Sequence, residues 1–510
     1  MAQITFSRVA SWGTGPSLTN APVDLGSVLG VASGYFHALA IQSNHTVAAW
    51  GTTLNGATNV PANLSNVVAV SGGNYFSLAL KSDGTVAAWG LGSSGQTTVP
   101  AGLTNVVAVS AGGGHALALR ADGTVAAWGL NSSGQLNVPA GLSNVVAIAA
   151  GSVHSLALKN DGTIVGWGLY GKVPGYTNAV AISAGYGQSL ALQANGTVLT
   201  WTTTGGTITL PAGLTNVVAI SAGGGYQGFL HSMALRADGT LVAWANNNFA
   251  GQMNVPQDLL SAIAISAGGG STLAFLNDRS PAFTVQPWDR NVASGTNVML
   301  GGLVVGQPPV SFQWYCNGQA LSGATSNWLV FANTQPAQSG AYQLVALNTY
   351  GATTSAVATL NVAVPPVRLA PLGPSVSGFR FSFTSLPRVL YIVEFKDTLA
   401  AVTWTELERR FGVGSLEIVT DTTASGAARF YRVRALYAPS PRMTATSWNG
   451  SALNFAFPTV FGAVYVIQYK DHLNDPAWQE LSRQTGTGAP ILVNDPSPAG
   501  PSRFYRIPVE

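Results

Sequence analysis

Residues 105–129 read NVVAVSAGGGHALALRADGTVAAWG, and close copies stand at 144–168 (NVVAIAAGSVHSLALKNDGTIVGWG) and 66–90 (NVVAVSGGNYFSLALKSDGTVAAWG). The tryptophan that ends each unit recurs at Trp12, Trp50, Trp89, Trp128, Trp167, Trp201 and Trp244, at intervals of 38, 39, 39, 39, 34 and 43 residues. A period in this range means stacked or radially arrayed units. Within a copy, VVAVSA and HALAL are short apolar runs of strand type, and the Asp-Gly before TVAAWG is a tight-turn pair. NSSGQ and VPAG mark further turns, and no stretch has a helical period. The chain reads as all-β.

The opening motif of the unit occurs seven times, near Val28, Val67, Val106, Val145, Val180, Val218 and Ile263. The seventh copy, AIAISAGGGSTLAFLNDRS, never reaches its own DGTVAAWG. The N-terminus supplies the missing piece, because Val9-Ala10-Ser11-Trp12 aligns with Val125-Ala126-Ala127-Trp128. A chain that begins with the end of a unit and stops with the start of one closes into a ring without open strand edges. Residues 1–279 therefore read as a seven-bladed β-propeller closed by its N-terminal strand. Glycine and alanine dominate where blades must approach closely at the centre.

This repeat resembles the regulator of chromosome condensation family of propellers. The residues that carry the likeness are Ala-Gly-Gly-Gly-His115-Ala-Leu-Ala-Leu, Asp122-Gly123-Thr124, Trp128-Gly129 and Gly134-Gln135. The short period and the WGxNxxGQxxVPA connector look closest to the bacterial β-lactamase inhibitor protein II branch. The resemblance implies a propeller over the first 279 residues and says little about activity. The eukaryotic founder binds chromatin and exchanges nucleotide, but its extra basic segments have no counterpart here. The inhibitor branch grips its target with aromatic residues on one face, and this chain keeps some aromatics in the corresponding loops.

The informative positions are those where the repeat departs from itself. Tyr35, Phe36 and Tyr75 stand just before the histidine position of their units, and Tyr186 stands there in the fifth. The sixth unit has a longer loop carrying Tyr226 and Phe229, and the fifth lacks the usual connector and carries Tyr170. Loops at equivalent blade positions gather on one face, so these seven residues are the candidate binding patch. The alternative is that they fill space between loops. His37, His115, His154 and His231 share one repeat position on four different units, too far apart to hold one metal ion. They are expected to satisfy buried backbone groups. The Asp of each DGT is expected to serve its turn.

Composition changes at Ser280-Pro281. Residues 282–363 resemble an immunoglobulin-like domain of the bacterial surface type, with Trp314 as the buried tryptophan and Tyr342 as the tyrosine corner. The two cysteine positions fall at Gly302 and Leu344, so the usual bridge is absent, and Cys316 is not expected to be a nucleophile. Val364 to Pro371 reads as a stiff linker. Two copies of one unit follow at 372–437 and 443–510. Phe381, Phe383, Tyr391, Trp404, Asp421 and Phe430-Tyr431-Arg432 recur 74 residues later as Phe455, Phe457, Tyr465, Trp478, Asp495 and Phe504-Tyr505-Arg506. These are expected to be small fibronectin-type-III-like sandwiches. Their arginines are expected to sit at solvated strand ends, pairing with Glu and Asp.

Across 510 residues the hydrophobic fraction is 47% and the charged fraction only 8%, against a usual quarter. The propeller carries equal numbers of basic and acidic residues, so the basic stripe that nucleic acid requires is absent. No run of 18 apolar residues predicts a membrane span. The start, MAQITFSRVA, has no signal-peptide pattern, and removal of such a peptide is the favoured expectation. Paired cleft carboxylates, GxSxG, HExxH and the P-loop are all missing, and no cofactor or metal is implied. The chain is expected to be a secreted or cell-surface binding or adhesion protein, bacterial and non-enzymatic. Its propeller would be the protein-recognition head on β-sandwich spacers. A glycan-binding module, an inhibitor of a secreted enzyme and a structural tile of a surface layer or filament remain the alternatives.

Overall fold

Each VVAVSA, HALAL and VAAWG run forms a strand in the computed structural model of the chain. The structure describes all residues except 1–7, 14–20, 23–24, 170, 172, 203–207, 225–229, 246–247, 258, 260, 364–366, 376–377, 387–388, 399, 413, 425–428, 438–444, 449–451, 458, 460–463, 473–474, 476, 488–489, 497–502 and 508–510. It forms two compact units. One comprises residues 1–290, 299–330 and 340–359, the other 291–298, 331–339 and 360–510.

In the first unit, the described residues between 8 and 276 make seven antiparallel three-stranded sheets arrayed as a ring. Each has an inner, a middle and an outer strand, as in Val106–Ala111, His115–Arg120 and Val125–Gly129. The middle strand is buried almost throughout, because neighbouring sheets cover both its faces. The last sheet takes its inner and middle strands from Ala262–Ala267 and Ser271–Leu276, and its outer strand is Arg8–Gly13. Trp12 lies opposite Thr272, as Trp128 lies opposite Ala116. The register is the same, so the N-terminal strand closes the ring as the repeat phase requires.

The sheets crowd at the centre. A Cβ added to Gly112 would come within 2.3 Å of the Gly151 carbonyl oxygen on the next sheet. Only glycine allows that approach.

Farther out, each connector is stitched to the following sheet. The Trp128 Nε1–H donates to the Gln96 carbonyl at 3.0 Å, Trp167 to Gln135 at 2.8 Å, Trp12 to Gln252 at 3.1 Å and Trp89 to Ala57 at 2.9 Å. The glutamine side chains fold back and accept from the backbone N–H of Ser94, Ser133 and Ala250. The Gly-Gln signal is therefore a turn that holds up a carbonyl. Trp50, Trp201 and Trp244 bury an indole N–H with no partner among the described residues, and each follows a connector without Gly-Gln. Trp201 meets the edge of Tyr176 at 5.6 Å.

The same unit holds immunoglobulin-like strands. Ser311–Cys316 pairs with Gly340–Asn348, which also pairs with Gly351–Thr354. Trp314 is fully buried and donates to the Ser326 carbonyl, and Tyr342 and Cys316 are buried nearby. These strands pack against the ring. Val285, Leu303 and Val305 share a core with Val218 and Trp244, and the Thr284 hydroxyl donates to the Val218 carbonyl. Gly306 N–H donates to Ala237, the Arg290 guanidinium to Asn160, and the Asn348 amide to Arg279 and Gln307. Val218 is only 5% exposed, whereas its counterparts Val68 and Val107 on uncovered sheets are 47% and 53% exposed.

The second unit carries the tandem modules. The first has two three-stranded sheets. Gly378–Thr384 lies between Ala370–Ser375 and Leu416–Asp421, and Val389–Lys396 lies between Thr405–Phe411 and Phe430–Tyr437. The second repeats this order with Ala445–Trp448, Leu453–Phe457, Ile491–Asp495, Gln479–Thr485, Val464–Lys470 and Phe504–Arg506.

The repeated Asp and Tyr-Arg positions form one clamp twice. Buried Asp421 accepts from Arg429 at 2.8 Å, from the Tyr431 hydroxyl at 2.8 Å and from Thr423. Arg429 also reaches Asp397 and lies 3.9 Å from the Phe395 ring centre. In the copy, Asp495 accepts from Arg503 at 2.9 Å and Tyr505 at 2.5 Å, and Arg503 reaches Asp471. Arg429 and Arg503 thus differ from the solvated strand ends expected, because each is itself largely buried and supplies the cation that faces a buried carboxylate. Trp404 lies between Lys396 and Arg432, and Trp478 between Lys470 and Arg506.

Deleting residues 1–13 frees the edge of Ser271–Leu276. The expected outcome is self-association in size-exclusion chromatography and loss of a cooperative melt, and an unchanged monomer with unchanged Tm would contradict the closure. Arg503→Met leaves Asp495 buried and short of a cation, so urea unfolding of the module should lose about 3 kcal/mol.

Candidate binding site

Each inner strand ends in a small residue, Ser, Ala or Gly, and these ends line a central well of about 260 Å3. Serine occupies the wall position in five sheets: Ser71, Ser110, Ser183, Ser221 and Ser266. Each of these hydroxyl oxygens accepts the backbone N–H of the next sheet, from Ala111, Ala150, Ala222, Ala267 and Ser33, at 2.8–2.9 Å. The two remaining sheets have Ala32 and Ala149 at that position. The serines are therefore fixed in place by the ring itself, and none of the residues lining the well is charged.

A second lattice lies behind the wall. His37, His115, His154 and His231 are buried, and each Nε2 meets a hydroxyl on the next sheet: Ser77 at 2.8 Å, Ser155 at 3.0 Å, Ser189 at 2.9 Å and Thr272 at 3.1 Å. Ser77 and Ser155 give their own hydrogens to the Ala57 and Gln135 carbonyls. The imidazole must then be the donor, which fixes the Nε2–H tautomer for His37 and His115. These Nε2 contacts go to side-chain hydroxyls, where backbone partners were expected. The reason is visible in the repeat. The residue after the histidine position is a hydroxyl wherever the preceding sheet carries histidine. It is Ala116 after Phe76 and Ala38 after Ser271. That spacing was a readable signal for the lattice.

Gln188 fills the histidine position in the fifth sheet and donates to the Gly223 and His231 carbonyls. Burial lowers the histidine pKa values, to about 4 for His37, about 3 for His115 and about 4 for His154. The nearby His154 adds to the effect on His115. The aspartates of the DGT turns accept from the Thr two residues on, as Asp122 does from Thr124. Among the described residues no group of three or more His, Cys, Asp or Glu is placed to hold a metal ion.

Aromatic residues crown the well. Tyr35 and Tyr186 line it, from the first and fifth sheets. Tyr35 meets Phe36 edge-on at 4.0 Å, and Phe36 stacks on Tyr75 at 4.8 Å. Burial first, then the neighbouring Tyr75 and Tyr186, raise the Tyr35 pKa. All four residues are half-buried. The structure thus brings Tyr35, Phe36, Tyr75 and Tyr186 to one mouth. Tyr170, Tyr226 and Phe229 lie outside the described residues. Sequence reading missed the serine wall and Asn74, which also lines the well.

The Regulator of chromosome condensation (RCC1) repeat matches residues 67–96, 106–135 and 145–169, and the Immunoglobulin I-set domain matches residues 281–362. No curated protein matches the chain. Among solved structures, the CRINKLY WD40 ectodomain of the Arabidopsis thaliana receptor kinase ACR4 is 21% identical with a TM-score of 0.35, over 48% of this chain and 92% of that one. The titin M10–obscurin-like 1 Ig complex is 27% identical with a TM-score of 0.16, over 17% of this chain and 97% of that one. The chain therefore contains RCC1-type repeats and an immunoglobulin I-set domain within a nearly all-β fold.

The depressed histidine pKa values set an acid limit. The folded ring holds His37, His115 and His154 neutral, while the unfolded chain takes up protons below its ordinary histidine pKa of about 6.5. Stability should be level above pH 7 and fall from pH 6.5 to about 4, each histidine costing up to about 1.4 kcal/mol per pH unit in that window. Thermal melts across pH test this. His115→Gln, which copies the residue the fifth sheet carries at Gln188, should make the fall shallower, and an unchanged slope would remove His115 from the cause.

Proposed function

We propose that the protein is a non-enzymatic recognition protein of the cell surface or extracellular space. The ring is its head and binds a protein partner at the aromatic mouth. The convergence of Tyr35, Phe36, Tyr75 and Tyr186 around one opening carries this reading. Half-buried aromatic rings on a rigid frame bury much area at small entropic cost. The RCC1-type repeats and the I-set domain support a protein-interaction role.

The neutral ring argues against nucleic acid. Among the described residues no helix is long and apolar enough to cross a membrane. The strand order of the tandem modules supports a fibronectin-type-III-like sandwich, and we assign them a spacer or docking role. The likeness to the inhibitor branch makes a secreted bacterial enzyme one partner class to screen.

The test is a quantitative binding screen of the whole chain against secreted and surface proteins of its host, with Tyr75→Ala and Tyr186→Ala as paired variants. Each variant should weaken the partner by about thirtyfold, the effect of losing roughly 2 kcal/mol at a hot spot. A partner held equally well by both variants would place recognition elsewhere on the protein.

A further inference from the structure

We propose that the central well is a binding site for a neutral hexopyranose, either free or at the end of a glycan chain. This concerns the well beneath the aromatic mouth and goes beyond the docking of a protein on that mouth.

Four observations carry it. The first is size. About 260 Å3 is below the usual volume of pockets that take drug-sized ligands, and equals the liquid volume of roughly nine waters. A single sugar ring is of the size that such a space takes.

The second is charge. No lining residue is charged, so an ionic ligand would lose its hydration and gain no counter-ion. A polar but neutral ligand meets no such cost.

The third is the wall. Each of the five serine oxygens is already held by an amide from the next sheet. That contact fixes the oxygen and leaves the hydroxyl hydrogen to donate. Five donors at fixed positions around an axis suit a ligand that presents acceptor oxygens in several directions, as a pyranose does. Asn74 adds a planar amide that can donate to one hydroxyl and accept from its neighbour.

The fourth is the rim. The lining Tyr35 and Tyr186 put aromatic rings next to the wall hydroxyls, and Phe36 and Tyr75 extend the same cluster from Tyr35. The axial C–H face of a pyranose packs on such rings. An apolar ligand of similar size would leave the serine hydroxyls and Asn74 unpaired, which costs affinity.

The experiment is titration of the intact protein, with no protein partner present, followed by saturation-transfer NMR and calorimetry. One arm uses methyl glycosides of glucose, galactose and mannose. A second uses neutral tetrasaccharides, which separates a free sugar from a chain end. A third uses glucuronate and glucosamine as charged controls. At least one neutral sugar should bind with Kd of about 1 mM. Asn74→Ala should weaken it at least tenfold, and the charged controls should bind at least tenfold more weakly.

Ala149→Ser, which restores a hydroxyl to the wall, keeps the test readable if Asn74→Ala disturbs the fold. It should change affinity while leaving Tm within a degree or so. Absence of binding by every neutral sugar up to about 50 mM, or equal binding of the charged controls, overturns the site. So does affinity that neither variant alters. The protein partner is scored separately, in the binding screen run without sugar, so a failed sugar titration leaves that reading to its own test.

Discussion

The backbone carbonyl at the end of each Gly-Gln connector holds the ring together. At Gln135 it accepts the Trp167 indole N–H and the Ser155 hydroxyl, both from the following sheet. At Ala57 it accepts from Trp89 and Ser77 in the same way. A buried carbonyl has two lone pairs to satisfy, and here one sheet satisfies the oxygen of the loop before it. His37 and His115 depend on this contact, because the serine hydrogen spent on the carbonyl makes imidazole the donor. Gly56-Ala57 keeps the same carbonyl without the glutamine, whereas Trp50, Trp201 and Trp244 follow other connectors and have no indole acceptor among the described residues, and Trp201 packs against Tyr176.

The same economy explains the well. Inter-sheet contacts at the wall use serine oxygens as acceptors of backbone amides, and glycines allow the close approach that makes those bonds reach. A surface built this way is polar, uncharged and rigid. The mouth above it gathers large side chains at positions where other repeats carry small ones. Irregular residues in a regular frame are where recognition can be added without disturbing the lattice.

The tandem modules use a different device. Each closes a sandwich with a buried aspartate held by arginine and tyrosine, and each flanks a tryptophan with two cations. Glu394 pairs with Arg432 and Arg434 in the first module, and its counterpart Gln468 takes Arg506 in the second. The clamp is therefore kept between copies while the surrounding charge varies.

The period of the tryptophans, the tight Asp-Gly turns and the split unit at the two ends of residues 8–276 determined the all-β ring and its closure, since strand pairing demands that every edge find a partner. Trp314 and Tyr342 were likewise legible, because a sandwich core needs a large ring at its centre. What the tertiary structure alone decided is which residues meet. Four aromatics from three sheets share one cluster at the mouth, the Thr284 hydroxyl finds the Val218 carbonyl, and Val218 is covered while Val68 is not. The physical reason is distance along the chain. Repeat spacing fixes local hydrogen bonding, but the meeting of side chains some 40 residues or more apart depends on the ring radius and on how the immunoglobulin-like strands seat against the ring. No single-residue pattern encodes either.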